Sequence, residues 1–133
     1  MATPSGEVVE RYVQALAARS LGGALALYAP GARFEVHVPG RDTLVEEPGE
    51  IGALLQDFFI GRDAFRVAER QILDRAGTAA LRMHLEWRDE ADGAPCVCFQ
   101  SHFFEVEAAQ IRLHRMYCAG VRVYRAGDEA PSA

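Results

Sequence analysis

The feature that most constrains the fold is the segment 79–88, which has the clearest alternation of apolar and polar residues in the chain. Because successive side chains of a β-strand point to opposite faces of a sheet, a period of two predicts a strand with one buried face. The predicted buried side chains are Leu81, Met83, Leu85 and Trp87, and the polar ones are Arg82, His84, Glu86 and Arg88. Such a strand belongs in an antiparallel sheet that is covered on one side only.

Helical periodicity lies in the first half of the chain. Apolar residues recur at helical spacing in 8–16, 21–28 and 51–59, with Ser20 as an expected N-cap and Gly61 as a helix end. Strands are predicted at 32–38, 65–73, 79–88, 96–106 and 111–123, and the polar stretch 40–49 is predicted to be a loop. Three N-terminal helices followed by a strongly curved, mostly antiparallel sheet indicate the α+β class, with the helices on one face.

Length and composition favour one ordinary globular domain of 133 residues, 50% apolar and 25% charged. We assign residues 1–124 to this domain and residues 125–133 to a flexible tail. The formal charge of -5 and the lack of a basic cluster argue against a nucleic-acid partner. The sequence shows neither a membrane-length apolar stretch nor a signal-peptide pattern, so we expect a cytoplasmic protein without a membrane partner.

The three cysteines, Cys96, Cys98 and Cys118, do not form the spacing of a disulfide framework. Cys96 and Cys98 lie two apart in a predicted strand, so their side chains share a face. A metal site would need further ligands at matching spacing, and the sequence offers no obvious pair. We therefore expect structural thiols, no metal and no cofactor.

Several segments resemble the ketosteroid isomerase and SnoaL-like polyketide cyclase families, which belong to the nuclear-transport-factor-2-like superfamily. Segments 8–16 and 24–34 resemble the opening of these families, and segments 101–104 and 110–117 resemble their last two strands. The resemblance spans about residues 7–120 and implies a cone-shaped sheet, closed by the helices around an inner pocket. This fold hosts enzymes, binding modules and protein-targeting factors, so the resemblance alone does not fix a function.

The departures from these families bear on chemistry. Ketosteroid isomerases use an Asp base, with a Tyr and a protonated Asp that hold the enolate oxygen. By resemblance Tyr12 matches the tyrosine, whereas Val36 replaces the Asp base and Ser101 replaces the partner Asp. A valine takes up no proton, so simple ketosteroid isomerisation is not expected. The acid that polyketide cyclases commonly carry on the last strand is likewise missing, at Met116 and Ala119.

The resemblance and strand parity together assign the pocket residues. The catalytic candidates are Tyr12 as donor to a carbonyl or enolate oxygen, His114 as acid or base, and Ser101 as a weaker oxyanion donor. Purely structural roles for Tyr12 and His114 stay open. The predicted ligand-binding side chains are Phe34, Val36, Phe58, Met83, Leu85, Trp87, Phe99, Phe103 and Met116. The remaining histidines fall on the opposite parity and are expected to face solvent or a partner, without forming a cluster: His37, His84 and His102.

The sequence thus favours a domain that binds a hydrophobic small molecule with a carbonyl group, either as a cofactor-independent isomerase or cyclase or, alternatively, as a non-catalytic ligand-binding or dimerisation module. The outer sheet face is predicted to mix aromatic, thiol and charged side chains, which favours a homodimer packed sheet to sheet. Its predicted residues are Cys96, Cys98, Phe104, Leu113, Tyr117, Arg82, Glu86, His102 and Arg115.

Overall fold

The fold is organised by one six-stranded sheet, seen in a computed structural model that describes residues 4–125. The elements are α1 (Pro4–Ala17), α2 (Leu21–Leu25), β1 (Tyr28–Val38), β2 (Arg41–Val45), α3 (Pro48–Leu55) with a π-helical turn (Gln56–Ile60), β3 (Asp63–Arg75), β4 (Thr78–Arg88), β5 (Pro95–Glu107) and β6 (Gln110–Val123). The strand order is β2-β1-β6-β5-β4-β3, and only β1 and β6 pair in parallel. The helices pack on the curved, unclosed sheet, which confirms the predicted α+β class.

The helices follow the predicted periodicity with one change at α2. The apolar stripe of α1 is buried, with Val9, Tyr12 and Leu16 each 0% exposed. The Ser20 side chain accepts a hydrogen bond from the backbone N–H of residue 23, so the predicted N-cap is confirmed. The chain leaves the helix earlier than predicted, and Tyr28 already belongs to β1. Two consecutive glycines in a helix this short explain why it does not extend.

The polar stretch 40–49 is not a loop throughout, because it contains β2. This strand pairs with β1 from Phe34–Val45 to Val38–Arg41, which leaves Pro39 and Gly40 as a two-residue turn. Gly40 has φ of +79°, a conformation that other residues rarely adopt. The sequence carried the turn signal, but a short strand of polar residues at the sheet edge has no apolar alternation to reveal it.

The side chains of β5 point the opposite way from the prediction. In the register of β4 and β5, Leu81 pairs with His102 and Leu85 pairs with Cys98, so even-numbered residues of β5 share the inner face with odd-numbered residues of β4. The inward placement of Phe99, Ser101 and Phe103 is therefore wrong. Phe99 is 56% exposed on the outer face. Because side chains alternate, a change of register by one residue moves every side chain to the other face.

The core fills the space between the helices and the inner sheet face. Of the predicted inner side chains, Phe34, Val36 and Leu85 lie there with at most 1% exposure. The Ser5 hydroxyl lies within hydrogen-bond distance of the backbone carbonyls of Arg75 and Thr78, which ties α1 to the hairpin between β3 and β4. None of the helices within residues 4–125 is long and apolar enough to cross a membrane. Residues 126–133, most of the predicted tail, lie outside the described part of the chain.

Candidate functional site

A chain of hydrogen bonds runs through the otherwise apolar core. The Tyr28 hydroxyl lies 2.7 Å from His114 Nδ1, His114 Nε2 lies 2.7 Å from His102 Nδ1, and His102 Nε2 lies 2.8 Å from Gln100 Oε1. All of these side chains are buried, from 0% exposure at His114 to 7% at Tyr28. The expectation that His102 faces solvent or a partner, and that no histidine cluster forms, is therefore wrong.

Burial keeps both histidine rings neutral, and the Gln100 oxygen then sets the direction of the hydrogen bonds. Desolvation lowers the pKa of His102 to about 3, and desolvation together with the charge of a protonated His102 holds the pKa of His114 well below its usual range. Both rings are neutral at pH 7, and a neutral imidazole has one donor and one acceptor nitrogen. Because Gln100 Oε1 only accepts, His102 donates to Gln100, His114 donates to His102, and Tyr28 donates to His114. Every bond points towards Gln100.

Aromatic rings enclose the two catalytic candidates that the sequence placed inward. Phe34 stacks on His114 at 4.3 Å between centroids, Phe104 stacks on its other side at 4.2 Å, and Tyr12 meets it edge-on at 5.3 Å. The Tyr12 hydroxyl is buried, and no group among residues 4–125 meets it with hydrogen-bond geometry. Burial raises the pKa of Tyr12, and the nearby Tyr28 hydroxyl opposes that rise. Tyr12 and His114 thus lie in the core rather than at a cavity wall.

One cavity reaches the inner sheet face at the other end of the histidine chain. Its volume is about 180 Å³, and Gln100 forms part of its wall. Two of the predicted ligand-binding side chains, Phe58 and Trp87, also line it. The others do not: Phe34, Val36, Met83, Leu85 and Met116 are core residues, whereas Phe99 borders a separate hollow of about 530 Å³ on the outer face. Ser101 borders that outer hollow as well.

The half-buried Arg62 side chain forms part of the wall of the inner cavity. The Arg62 guanidinium carbon is 3.9 Å from the Trp87 ring centroid, and Arg62 Nε donates to the carbonyl of Phe58 at 2.7 Å. Burial lowers the pKa of Arg62, and the nearby cysteines oppose that effect. Arginine nevertheless stays charged at neutral pH, so this wall of the cavity carries a positive charge.

Two thiols complete the polar part of the cavity wall. Cys98 Sγ and Cys118 Sγ are 2.8 Å apart. The hydrogen bond from Cys98 lowers the pKa of Cys118, and the backbone N–H of Gly120, the Gln100 amide and Arg62 act in the same direction against the effect of burial. The same contact, together with burial, raises the pKa of Cys98. These effects favour the thiolate at Cys118 over that at Cys98.

The sequence did not single out the polar residues that line the cavity, Arg62, Cys98, Gln100 and Cys118, nor His102, which is hydrogen-bonded to Gln100. The inward direction of His102 could have been predicted from the alternation of β4. When Trp87 pairs with Cys96, His102 lies beside Leu81 on the inner face. Arg62 follows the end of the third helix and carries no motif. Among the described residues, no group of three or more His, Cys, Asp or Glu side chains is arranged to hold a metal ion.

Three helices on one face of a curved, unclosed sheet place the chain in the same fold class as solved proteins described as ketosteroid isomerase-like and NTF2-like. Within that class the chain belongs to the SnoaL-like domain family, whose model matches residues 9–114. The resemblance inferred from the sequence is thereby confirmed.

Solved structures of the same fold cover most of the chain. An LEH-like epoxide hydrolase from M. tuberculosis has 19% identity and a TM-score of 0.68, over 86% of this chain and 82% of that one. A candidate polyketide cyclase from Pseudomonas putida has 19% identity and a TM-score of 0.70, over 96% of both chains. A protein of ketosteroid isomerase-like fold from Catenulispora acidiphila, in complex with trimethylamine, has 12% identity and a TM-score of 0.73, over 89% and 88%. No curated protein matches the chain.

Proposed function

We propose that this protein is a cofactor-independent isomerase or cyclase that acts on a small, mainly apolar carbonyl compound bound in the inner cavity. The observation that carries the proposal is the meeting of a cation, an amide and a free thiol at one cavity wall: Arg62, Gln100 and Cys118. Family membership and the isomerase-like and cyclase-like neighbours support the reaction class.

Each of the three groups has a separate role in enolisation, one as base and two as hydrogen-bond donors. Cys118, as the thiolate, takes a proton from the carbon beside the substrate carbonyl. Arg62 and the Gln100 amide N–H donate to the oxygen on which negative charge develops. Return of the proton to a different carbon completes an isomerisation. Attack of the enolate carbon on a second carbonyl of the same molecule, with the proton delivered to the new alkoxide, completes a cyclisation.

The histidine chain gives Gln100 its orientation. Since His102 donates to Oε1, the amide nitrogen of Gln100 is left to face the cavity, where a donor is needed. His114 and Tyr28 keep the donor of His102 directed at Gln100. His114, the base predicted from the sequence, thus becomes a positioning residue that acts through His102 and Gln100. Tyr12 contributes packing against the His114 ring.

Cavity size limits the substrate. A buried cavity of about 150 Å³ accommodates benzene, so about 180 Å³ accommodates a compound of roughly six to ten non-hydrogen atoms. A four-ring steroid is about twice that size. Phe58 and Trp87 supply apolar walls, and Arg62 favours an oxygen at one end. We therefore place the substrate among small cyclic or branched ketones and dicarbonyl compounds.

The test is deuterium exchange at the carbon beside the carbonyl, followed by proton NMR in D₂O for a panel of ketones of this size. We expect protein-dependent exchange that falls at least about tenfold in Gln100→Leu, Arg62→Met and Cys118→Ser, each of which removes a donor or the base. Ser101→Ala, on the exposed side of the same strand, is the matched control and should keep the rate. His114→Gln should lower kcat more than it raises KM.

The outcomes separate this proposal from the alternative of a non-catalytic module. Exchange that persists in all three cavity variants would refute the assignment of the site. Specific chemical-shift changes on ligand addition, lost in Arg62→Met but never accompanied by exchange, would support a ligand-binding module of the same fold instead.

For the partner we propose a homodimer through the outer sheet face. Phe99 and Tyr117 are 56% and 49% exposed there, stacked on His84 and His37. The inward direction of Cys96, Cys98, His102 and Phe104 removes these four from the predicted interface. Sedimentation velocity at micromolar concentration should give a dimer that Phe99→Glu dissociates and that Gln14→Glu, the same charge change on exposed α1, leaves intact. A wild-type monomer would refute this assignment.

A further inference from the structure

Two free thiols lie side by side at the inner cavity, and the proposed carbonyl chemistry uses only one of them. Cys98 lies on β5 and Cys118 on the neighbouring strand β6, and both line the same cavity. Their sulfurs are 2.8 Å apart, whereas a disulfide needs about 2.05 Å. The pairing also shifts register between Cys98 and Gln100, so the backbone departs from a regular ladder at this point.

The surroundings of the pair give the two sulfurs different roles. Cys118 is half-buried, its sulfur lies 2.8 Å from that of Cys98, and both Cys98 and Arg62 lower its pKa. Cys98 is 1% exposed and keeps its proton. Cys96 shares the inner face two residues away, is 2% exposed, and burial raises its pKa. A nucleophilic thiolate beside a protonated thiol is the arrangement of an attacking and a resolving cysteine.

We propose that Cys118 and Cys98 form a redox site in which Cys118 reduces a hydroperoxide that enters the inner cavity, and Cys98 resolves the product. The cavity admits hydrogen peroxide or a small alkyl hydroperoxide, and its apolar walls suit the alkyl group. The inference does not depend on the proposed carbonyl chemistry, although oxidation of Cys118 would remove the base of that reaction.

The reaction balances in two steps. The Cys118 thiolate attacks the terminal oxygen of R–O–O–H, the O–O bond breaks, and RO⁻ leaves and takes a proton from solvent. Sulfur is oxidised by two electrons to the sulfenic acid, and the peroxide is reduced to ROH. The Cys98 thiol then attacks the Cys118 sulfur, an S–S bond forms, and the S–OH oxygen leaves as water with the Cys98 proton. A dithiol reductant restores both thiols by exchange and is itself oxidised to a disulfide.

The experiment treats the intact protein with hydrogen peroxide and, separately, tert-butyl hydroperoxide, and reads the products by mass spectrometry. We expect a loss of two hydrogens and a Cys98–Cys118 linked peptide, with full recovery after addition of a dithiol. In Cys98→Ser the sulfenic acid should persist and be trapped by dimedone on Cys118. Cys96→Ser is the matched control and should form the same disulfide as wild type.

A second variant and a second reagent cover the case in which a cysteine variant fails to fold. Arg62→Met retains all three thiols, and its oxidation rate should fall severalfold because the charge that favours the thiolate is gone. Brief alkylation with iodoacetamide at pH 6.5 should label Cys118 at least about tenfold faster than Cys96. Labelling of Cys96 as fast as Cys118, a disulfide that includes Cys96, or the absence of both disulfide and dimedone adduct would overturn the proposal.

Discussion

The buried histidines make the stability of this protein depend on pH. In the folded chain the pKa of His102 is about 3, because burial penalises the charged ring, whereas an unfolded histidine titrates near pH 6.5. The unfolded state therefore binds more protons below about pH 6.5, and the folded state loses relative stability as the pH falls from there towards 3. Above about pH 6.5 both states are neutral at this site and the stability is fully present.

The magnitude follows from the two pKa values. Between pH 8 and pH 5 the unfolded His102 takes up almost one full proton that the folded ring does not, which costs about 2 kcal/mol of unfolding free energy. His114 is buried in the same way and adds a loss of the same sign. Since a domain of this kind is stable by about 5–15 kcal/mol, the loss is large enough to measure.

Urea unfolding at half-unit steps from pH 8 to pH 5 measures this loss, with the fluorescence of the single tryptophan, Trp87, as the signal because that residue is buried. In His102→Gln the fall in unfolding free energy over that range should shrink by about 2 kcal/mol. A wild-type curve that is flat between pH 7 and pH 5, or an unchanged slope in His102→Gln, would refute the burial argument.

The remaining predictions concern single hydrogen bonds and one turn, and urea unfolding at pH 7.5 measures each. Tyr12→Phe should change the unfolding free energy by less than about 1 kcal/mol or raise it, because the lost hydroxyl has no well-placed partner. Tyr28→Phe should cost about 1–2 kcal/mol, since His114 Nδ1 loses its donor; equal effects of the two changes would contradict this. Gly40→Ala should cost about 1 kcal/mol at φ of +79°, whereas Gly49→Ala should be nearly neutral.

Much of the fold could be predicted because periodicity reports burial directly. Three local patterns each allow only one interpretation: the apolar stripe of α1, the alternation of β4 and the N-cap at Ser20. The structure contains all three. The segment 96–106 does not have this property. Its odd positions carry Val97, Phe99 and Phe103, its even positions carry two thiols and Phe104, and neither set is clearly the polar one. Only pairing with β4 decides which set is buried.

That ambiguity is also why the site was predicted incompletely. The sequence predicts that His114 and Tyr12 point inward, and both side chains are buried. It could not predict that Phe34 and Phe104 sandwich His114 so closely that no ligand reaches it, because stacking distances depend on the parallel pairing of β1 with β6. His102, which strand parity predicts to point outward, points inward and joins His114 to Gln100 at the cavity.

The orientation of the Gln100 amide bears on both proposals. Its oxygen accepts from His102, so its nitrogen is the end that favours a thiolate at Cys118. If oxidation joins Cys98 and Cys118, that nitrogen loses its anionic neighbour while the histidine chain still fixes the oxygen. Rotation of the amide would present a donor to His102 and force both imidazoles to exchange their donor and acceptor nitrogens. The buried chain therefore resists that rotation, and the donor of Gln100 stays directed at the cavity in either redox state.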